Sequence, residues 1–124
     1  MPVTPNAVNP VLHVSDLNAA ITFYTSVLGF TEEFRWEDFY AGLHFGTVDV
    51  HLAMGSGPFN RPIGGANLYF TLDSPGDVDA YYVDIVAKGA HVDKGPKDYP
   101  YRIRDFVAFD PDGNMLSFGA ETSA

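Results

Sequence analysis

Histidine and acidic side chains are the clearest candidates for chemistry in this chain. His13, Asp49 and His51 lie on one predicted strand face, and two imidazoles with one carboxylate resemble a site for a transition metal. Residues 49 and 51 are about 7 Å apart along a strand, however, so their side chains need not converge on one ion. We expect no metal and no other cofactor. His44 and His91 occupy ordinary strand positions, which favours surface or hydrogen-bonded roles.

Composition excludes several classes of site. The 124 residues include no cysteine, which rules out disulfides, thiolate nucleophiles and zinc-thiolate sites and fits a reducing compartment. No basic segment followed by an apolar stretch begins the sequence, and no apolar run approaches the roughly 18 residues of a membrane span, so a cytoplasmic location is expected. A net charge of -9 disfavours nucleic acid and anionic membranes as partners and favours cationic ones.

Apolar periodicity predicts two helices. The first begins after Ser15 or Asp16 and ends at Gly29, and the second begins after Ser74. The stripes expected to be buried are Leu17, Ala20, Ile21, Tyr24 and Leu28 in the first helix and Val78, Tyr81, Tyr82, Ile85 and Val86 in the second.

Strand-like runs surround both helices. They cover residues 8–14, 31–36, 39–45 and 48–54 in the first half and 67–73, 90–93, 102–109 and 115–119 in the second. The two halves repeat one plan, which predicts an α+β fold of two βαβββ modules in a single domain spanning residues 1–124. The modules cover about 7–54 and 65–121, and the Gly/Pro-rich segment 55–64 links them.

The sequence Asp110-Pro111-Asp112-Gly113 predicts a tight hairpin turn, because Pro presets φ, Asp bonds nearby amides and Gly accepts positive φ. Strand alternation after the turn places Ser117 on the face opposite Leu116 and Phe118.

Alternation divides the predicted strands into two faces. The apolar face, expected to cover the helices, carries Leu12, Val14, Val48, Val50, Leu52, Leu68, Phe70, Leu72, Leu116 and Phe118. The opposite face carries Asn9, Val11, His13, Asp49, His51, Ala53, Asn67, Tyr69, Thr71, Met115 and Ser117. Such a mixed face is typical of a small-molecule cleft, and equally of the solvent side of an antiparallel sheet.

Aromatic and charged side chains near these strands leave the charge of a ligand open. The aromatic residues that could stack on a planar or cationic ligand are Trp36, Phe39, Tyr40, Phe59, Tyr69, Tyr99 and Tyr101. Glu32, Glu33, Glu37 and Asp38 could rim a cation site or form a solvated edge, whereas Arg102 and Arg104 could neutralise an anion.

Two motifs resemble the vicinal oxygen chelate superfamily, which includes glyoxalase I, extradiol dioxygenases, fosfomycin-resistance enzymes and bleomycin-resistance proteins. They are VLHVSDLNAAITFYTSVLGF near the start and RDFVAFDPDGNMLSFGAE near the end. The resemblance implies sheets that curl around a cleft, in a homodimer. It also implies four metal-ligand positions, which fall on Asn9, His51, Asn67 and Ser117 and therefore include no carboxylate.

The resemblance and the missing carboxylates together favour a protein that sequesters a small organic ligand, such as a cationic antibiotic, without catalysis. The alternative is a lyase, isomerase or dioxygenase that is metal-free or uses a relocated metal site. The predicted ligand-binding residues are Asn9, His13, Trp36, Tyr40, Asp49, His51, Asn67, Tyr69, Arg102, Met115 and Ser117.

Overall fold

The strands form two sheets of the same topology. The structure, a computed structural model, describes residues 2–56 and 61–122, so Phe59 and part of the predicted linker lie outside the described residues. The first sheet contains β1 (Val11–Val14), β2 (Thr31–Trp36), β3 (Tyr40–Phe45) and β4 (Val48–Met54) in the order β1-β4-β3-β2. The second contains β5 (Asn67–Thr71), β6 (His91–Val92), β7 (Lys97–Tyr99), β8 (Ile103–Phe109) and β9 (Met115–Glu121) in the order β5-β9-β8-β6, with β7 also paired to β8.

In each sheet the first strand is parallel to the last and the remaining pairs are antiparallel. This is the mixed α+β architecture that the repeat predicts, and the short β7 is an addition that no sequence signal indicated.

Two α-helices cross from the first to the second strand of each module. They are α1 (Leu17–Thr22) and α2 (Pro75–Ala87), and the caps are as predicted, because Asp16 accepts from the Ala19 amide and Ser74 from the Asp77 amide. Neither α1 nor α2, within the described residues, has the length and apolar character needed to cross a membrane.

The first helix does not continue as the predicted α-helix to Gly29. Residues Phe23–Val27 form a π-helical turn instead. The Thr25 hydroxyl donates to the Ile21 carbonyl oxygen at 2.8 Å, which occupies the acceptor that the next α-helical bond would use. The predicted buried stripe nevertheless holds, and Gly29, with φ of 87°, ends the segment.

The inner faces of both sheets, which face the helices, share one hydrophobic core. Leu12, Val14, Val50, Leu52, Phe70, Leu116 and Phe118 are all buried there, as alternation predicts. Two predictions are wrong: Val48 is 42% exposed because it starts β4 beside a hairpin turn, and Val86 is 39% exposed because it lies one position beyond the buried stripe of α2.

The predicted turn at residues 110–113 joins the two modules. Gly113 has φ of 90°, and buried Asp110 accepts hydrogen bonds from the Tyr24 hydroxyl (2.9 Å) and from the amide and side chain of Asn114. Asp112 accepts from the hydroxyl and amide of Ser15 at the start of α1. The second module's hairpin is therefore bonded to the first module's helix.

Candidate functional site

The outer face of the first sheet, which points away from the helices, is organised in rows by strand register. One row is Val11, His51, Gly42 and Phe34, and the next is His13, Ala53, Tyr40 and Trp36. A third row contains Asp49 and His44. Directly opposed residues in neighbouring strands have adjacent side chains, so three imidazoles and three aromatic rings share this face.

His51 is held by two aromatic rings. A hydrogen bond of 2.8 Å joins its Nδ1 to the Tyr40 hydroxyl, and the ring of Phe34 meets it edge-on with centroids 5.4 Å apart. Phe34 can approach because it lies across Gly42, where a Cβ atom would collide with the Phe34 ring. Burial raises the pKa of Tyr40, so its hydroxyl stays protonated at neutral pH. The hydrogen bond therefore fixes the orientation of the imidazole.

Large apolar side chains remain exposed on this face. Trp36 is 64% exposed, Phe34 45% and Val11 39%. Single exposed apolar residues are common on soluble proteins, but these three lie in adjacent rows of one face and form a continuous patch with Tyr40 and His51. We call these five residues the aromatic patch.

An imidazole and two carboxylates meet beside the aromatic patch. The His44 Nδ1 lies 3.3 Å from a Glu33 carboxylate oxygen, and one ligand atom from each of Glu33, His44 and Asp49 lies within 4.8 Å of the others. Strand alternation groups Asp49 with His13 and His51 and predicts an ordinary role for His44. In the structure the partner of Asp49 is His44, because the two residues are directly opposed in β3 and β4.

The sequence of the β3–β4 turn contains a signal for this pairing. Phe45 pairs with Val48, which leaves Gly46 and Thr47 as a two-residue hairpin turn, and Gly46 has φ of 62°. A two-residue turn containing Gly fixes the register of a hairpin, and that register places residue 44 opposite residue 49.

The outer face of the second sheet carries a tyrosine whose hydroxyl is bonded within the protein. Tyr69 lies across Gly119 and donates its hydroxyl to Asp105 at 2.9 Å, and burial, then this bond, raises the pKa of Tyr69. Ser117, opposite Tyr69, is only 6% exposed, and Met115 is half-buried.

The predicted ligand-binding residues fall into three groups. His13, Trp36, Tyr40, Asp49 and His51 lie on the first outer face, and Asn67, Tyr69, Met115 and Ser117 lie on the second. Asn9 precedes β1 and is exposed, and Arg102 occupies the turn before β8 with φ of 65°. Among residues 2–56 and 61–122, no hydrogen bond or ring contact joins the two outer faces.

Two cavities of the described chain lie away from the imidazoles. One of about 500 Å³ opens between the β3–β4 turn, the end of β5 and α2, and its lining includes Phe45, Phe70, Asp73, Asp77 and Tyr81. Another of about 400 Å³ contains Arg102 together with Tyr101, Ile103, Glu121 and Thr122. Because the first cavity contains none of the predicted residues and no imidazole, we place the candidate site on the outer faces.

The fold and the sequence have known counterparts. A family model described as Glyoxalase/Bleomycin resistance protein/Dioxygenase superfamily matches residues 7–118. A glyoxalase/bleomycin resistance protein/dioxygenase from Nocardioides superimposes with a TM-score of 0.81 at 23% identity, covering 100% of this chain and 88% of that one.

Two further structures superimpose with a TM-score of 0.79. TioX from Micromonospora sp. ML1 is 20% identical, with 94% of this chain and 99% of that chain covered. A lactoylglutathione lyase from Agrobacterium tumefaciens is 22% identical, with 94% of each chain covered. At these identities the structures show a shared fold. No curated protein has a significant sequence match to this chain.

Proposed function

We propose that this chain, which belongs to the Glyoxalase/Bleomycin resistance protein/Dioxygenase superfamily, binds a small organic molecule and sequesters it without catalysis. The ligand lies against the aromatic patch of the first sheet. A second copy of the chain supplies the outer face of a second sheet as the other wall.

The exposed aromatic patch is the observation that carries this proposal. Phe34 and Trp36 expose large apolar surfaces next to a hydrogen-bonded imidazole. A planar ligand stacked on these rings removes apolar surface from water, and a cationic one gains additional attraction to the ring faces. The chain's net charge of -9 also attracts a cation.

The residues at the four positions of the superfamily resemblance support binding rather than metal-assisted catalysis. Asn9, Asn67 and Ser117 are neutral, His51 is bonded to Tyr40, and Ser117 is nearly inaccessible. A set of one imidazole, two amides and a hydroxyl has no negative charge with which to retain a transition metal.

A homodimer accounts for the separation of the two outer faces. The inner faces of both sheets share one core, whereas His51 and Ser117 lie on the outer faces of different sheets. If a second copy places its second sheet over the aromatic patch, the imidazole side and the Tyr69 side form one cleft. Analytical ultracentrifugation measures the mass, and a monomer at micromolar concentration contradicts this part of the proposal.

Trp36 makes the proposal directly testable, because it is the only tryptophan in the chain. Metal-free bleomycin, a large cationic molecule with planar rings, is added while the tryptophan emission is followed. We expect quenching or a blue shift, and a loss of affinity of about tenfold in His51→Ala, equivalent to about 1.4 kcal/mol. His91→Ala, at an exposed histidine on β6, is the matched control.

Bleomycin is one member of the proposed ligand class, so a screen of cationic antibiotics and aromatic metabolites by thermal shift accompanies it. A ligand that stabilises the protein with equal affinity in wild type and His51→Ala, and leaves the Trp36 emission unchanged, contradicts the proposed site. Such a ligand would instead indicate the cavity beside Asp73 and Asp77.

Catalysis is the second candidate function, and the bond between Tyr40 and His51 favours it. A neutral imidazole oriented by a phenol can transfer a proton. The fold likeness to a lactoylglutathione lyase suggests the first assay, in which formation of the lactoylglutathione thioester is followed by absorbance. Turnover that disappears in His51→Ala but persists in His91→Ala would replace sequestration with a lyase function.

A further inference from the structure

We propose that Glu33, His44 and Asp49 form a binding site for a divalent transition-metal cation. These residues come from β2, β3 and β4. They differ from the four positions of the superfamily resemblance and from the alternative grouping of His13, Asp49 and His51. The site goes beyond the proposed ligand binding and does not depend on it.

Backbone register brings the histidine and one carboxylate together. The turn at Gly46 and Thr47 sets β3 against β4 so that His44 and Asp49 are directly opposed on the outer face. Side chains of opposed residues in an antiparallel pair are neighbours, and both strands continue into the buried core of the first sheet at Leu43 and Val50. The two ligands are therefore carried by rigid strands rather than by a loop.

An irregularity in β2 supplies the third ligand. The register of β2 against β3 shifts between Glu32 and Phe34, and such a bulge places consecutive side chains differently from a regular strand. Glu32 forms an ion pair with Arg35, which also reaches Asn18 of α1. Glu33 instead contacts His44 at 3.3 Å. The bulge therefore directs one of two adjacent carboxylates to the outer face.

The charges of the cluster favour a cation. Among the described residues, no Lys or Arg forms an ion pair with Glu33 or Asp49, and the nearby Arg35 is engaged by Glu32. Two carboxylates that approach within a few ångströms repel one another unless a positive charge lies between them. A bound dication removes that repulsion.

The ligand types indicate which cation. Ligand atoms around a four-coordinate zinc, each about 2.0–2.1 Å from the metal, are roughly 3.4 Å apart. The 3.3 Å distance between His44 and Glu33 already has this spacing. The other distances between ligand atoms are at most 4.8 Å, and rotation of the exposed Glu33 and Asp49 side chains can shorten them. One imidazole with two carboxylates suits zinc or manganese better than magnesium or calcium, which prefer oxygen ligands alone.

Three protein ligands leave at least one coordination position open to water or to a ligand oxygen. Asp49 is two residues from His51 on the same strand face, so that position adjoins the aromatic patch. An ordinary ion pair between His44 and Glu33 is the competing explanation, and it predicts no affinity for metal.

Isothermal titration of untagged protein with zinc chloride tests the site. We expect one zinc per chain with micromolar affinity and a loss of at least tenfold in His44→Ala and in Asp49→Asn. The matched controls are His91→Ala and Asp93→Asn, which remove an exposed histidine and an exposed carboxylate from the second module. Circular dichroism verifies that each variant is folded.

Manganese provides an independent readout, because its paramagnetism broadens the NMR signals of nearby residues. Broadening centred on Glu33, His44 and Asp49 supports the site. Zinc binding that is absent at millimolar concentration, or that is lost equally in the controls, overturns the proposal. Zinc binding that is abolished in His51→Ala and retained in His44→Ala also overturns the proposal, because that result would place the metal at His51.

Discussion

In both modules an aromatic ring packs across a glycine of the neighbouring strand, but the two rings make different contacts. In the first sheet Phe34 lies across Gly42, and in the second Tyr69 lies across Gly119. A glycine without a side chain lets an aromatic ring cover the neighbouring strand. The two rings are about equally exposed, at 45% and 49%, but Phe34 contacts His51, whereas Tyr69 donates its hydroxyl to Asp105.

The contacts of the two rings indicate where a ligand can bind. On the first sheet the ring contacts the His51 imidazole and shares its face with an exposed tryptophan. On the second sheet the ring's polar atom is already bonded within the protein, and Ser117 beside it is inaccessible. We infer that the first module supplies the groups that bind a ligand and the second supplies a rigid opposite wall. Four comparisons separate these roles.

The largest effect is expected at the turn of the second module. Asp110→Ala removes the acceptor of the Tyr24 hydroxyl, of the Asp112 and Asn114 amides and of the Asn114 side chain, all at a buried position. Leaving buried donors unpaired should lower the free energy of unfolding by roughly 3 kcal/mol. Urea denaturation measures this free energy of unfolding. Thr47→Ala, in the exposed turn of the first module, should change it by less than about 0.5 kcal/mol, and equal losses would contradict the division of roles.

Alkaline pH should destabilise the junction between the modules. Burial, then the charge of Asp110, raises the pKa of Tyr24, and burial raises the pKa of Tyr81, whose hydroxyl donates to the Leu28 carbonyl. Both tyrosines are protonated in the folded and unfolded chains below about pH 10, so their stabilisation is complete there. Above that pH the unfolded chain releases protons that the folded chain retains, and stability falls.

Above about pH 10 the free energy of unfolding should fall by about 1.4 kcal/mol per pH unit for each such tyrosine. Denaturant unfolding between pH 8 and pH 11.5 measures it, and absorbance at 295 nm, a standard tyrosinate signal, follows the ionisation. Tyr24→Phe should be less stable at pH 8 and should show a shallower alkaline decline. An unchanged slope in this variant contradicts the assignment.

The two glycines allow a matched comparison. A Cβ atom at Gly42 would collide with Phe34, and one at Gly119 would collide with the Tyr69 hydroxyl and lie 2.7 Å from the Asp105 Cβ. Gly42→Ala and Gly119→Ala should each cost about 1–2 kcal/mol, because an aromatic ring must shift. Gly42→Ala should alter ligand affinity and Trp36 emission much more than Gly119→Ala, because Phe34 and Trp36 lie on the first sheet and the second sheet supplies only the opposite wall. If Gly119→Ala alters both equally, the second sheet also supplies interacting groups.

Periodic features of the fold were predictable from the sequence. The buried stripe of α1, the caps at Asp16 and Ser74 and the alternation that buries Leu116 and Phe118 all depend on residue type and spacing. The turn at Asp110 was also predictable, although its bond to Tyr24 of the other module was not.

The candidate site was less predictable because it depends on pairing between strands. His44 meets Asp49 only through hairpin register, Glu33 turns outward through a bulge, and Phe34 reaches His51 only because position 42 is glycine. Alternation predicts that Asn9 lies on a strand face, but β1 begins only after Pro10. Proline has no amide hydrogen to donate to a neighbouring strand. The contacts of Glu33 and Phe34 therefore depend on a neighbouring strand, whereas the His44–Asp49 register and the start of β1 have local signals in the Gly46-Thr47 turn and in Pro10.

The smallest effects on stability are expected when the hydroxyl of Tyr40 or of Tyr69 is removed. Tyr69→Phe removes the bond to Asp105 and Tyr40→Phe removes the bond to His51. Each should cost about 0.5–1 kcal/mol, because both hydroxyls lie in partly solvated positions. Thermal denaturation should therefore hardly distinguish the variants. Their difference should appear in the ¹⁵N chemical shifts of the His51 ring, which report the tautomer.

In wild type the Tyr40 hydroxyl holds His51 Nδ1 in one hydrogen-bonding role, so one tautomer should dominate. Tyr40→Phe should restore a mixture of tautomers and weaken ligand binding by several-fold, because the outward nitrogen is no longer fixed as donor or acceptor. Tyr69→Phe should leave the His51 shifts unchanged. If both variants shift the His51 resonances alike, the second sheet of the partner copy contacts the His51 ring itself and is more than the opposite wall of the cleft.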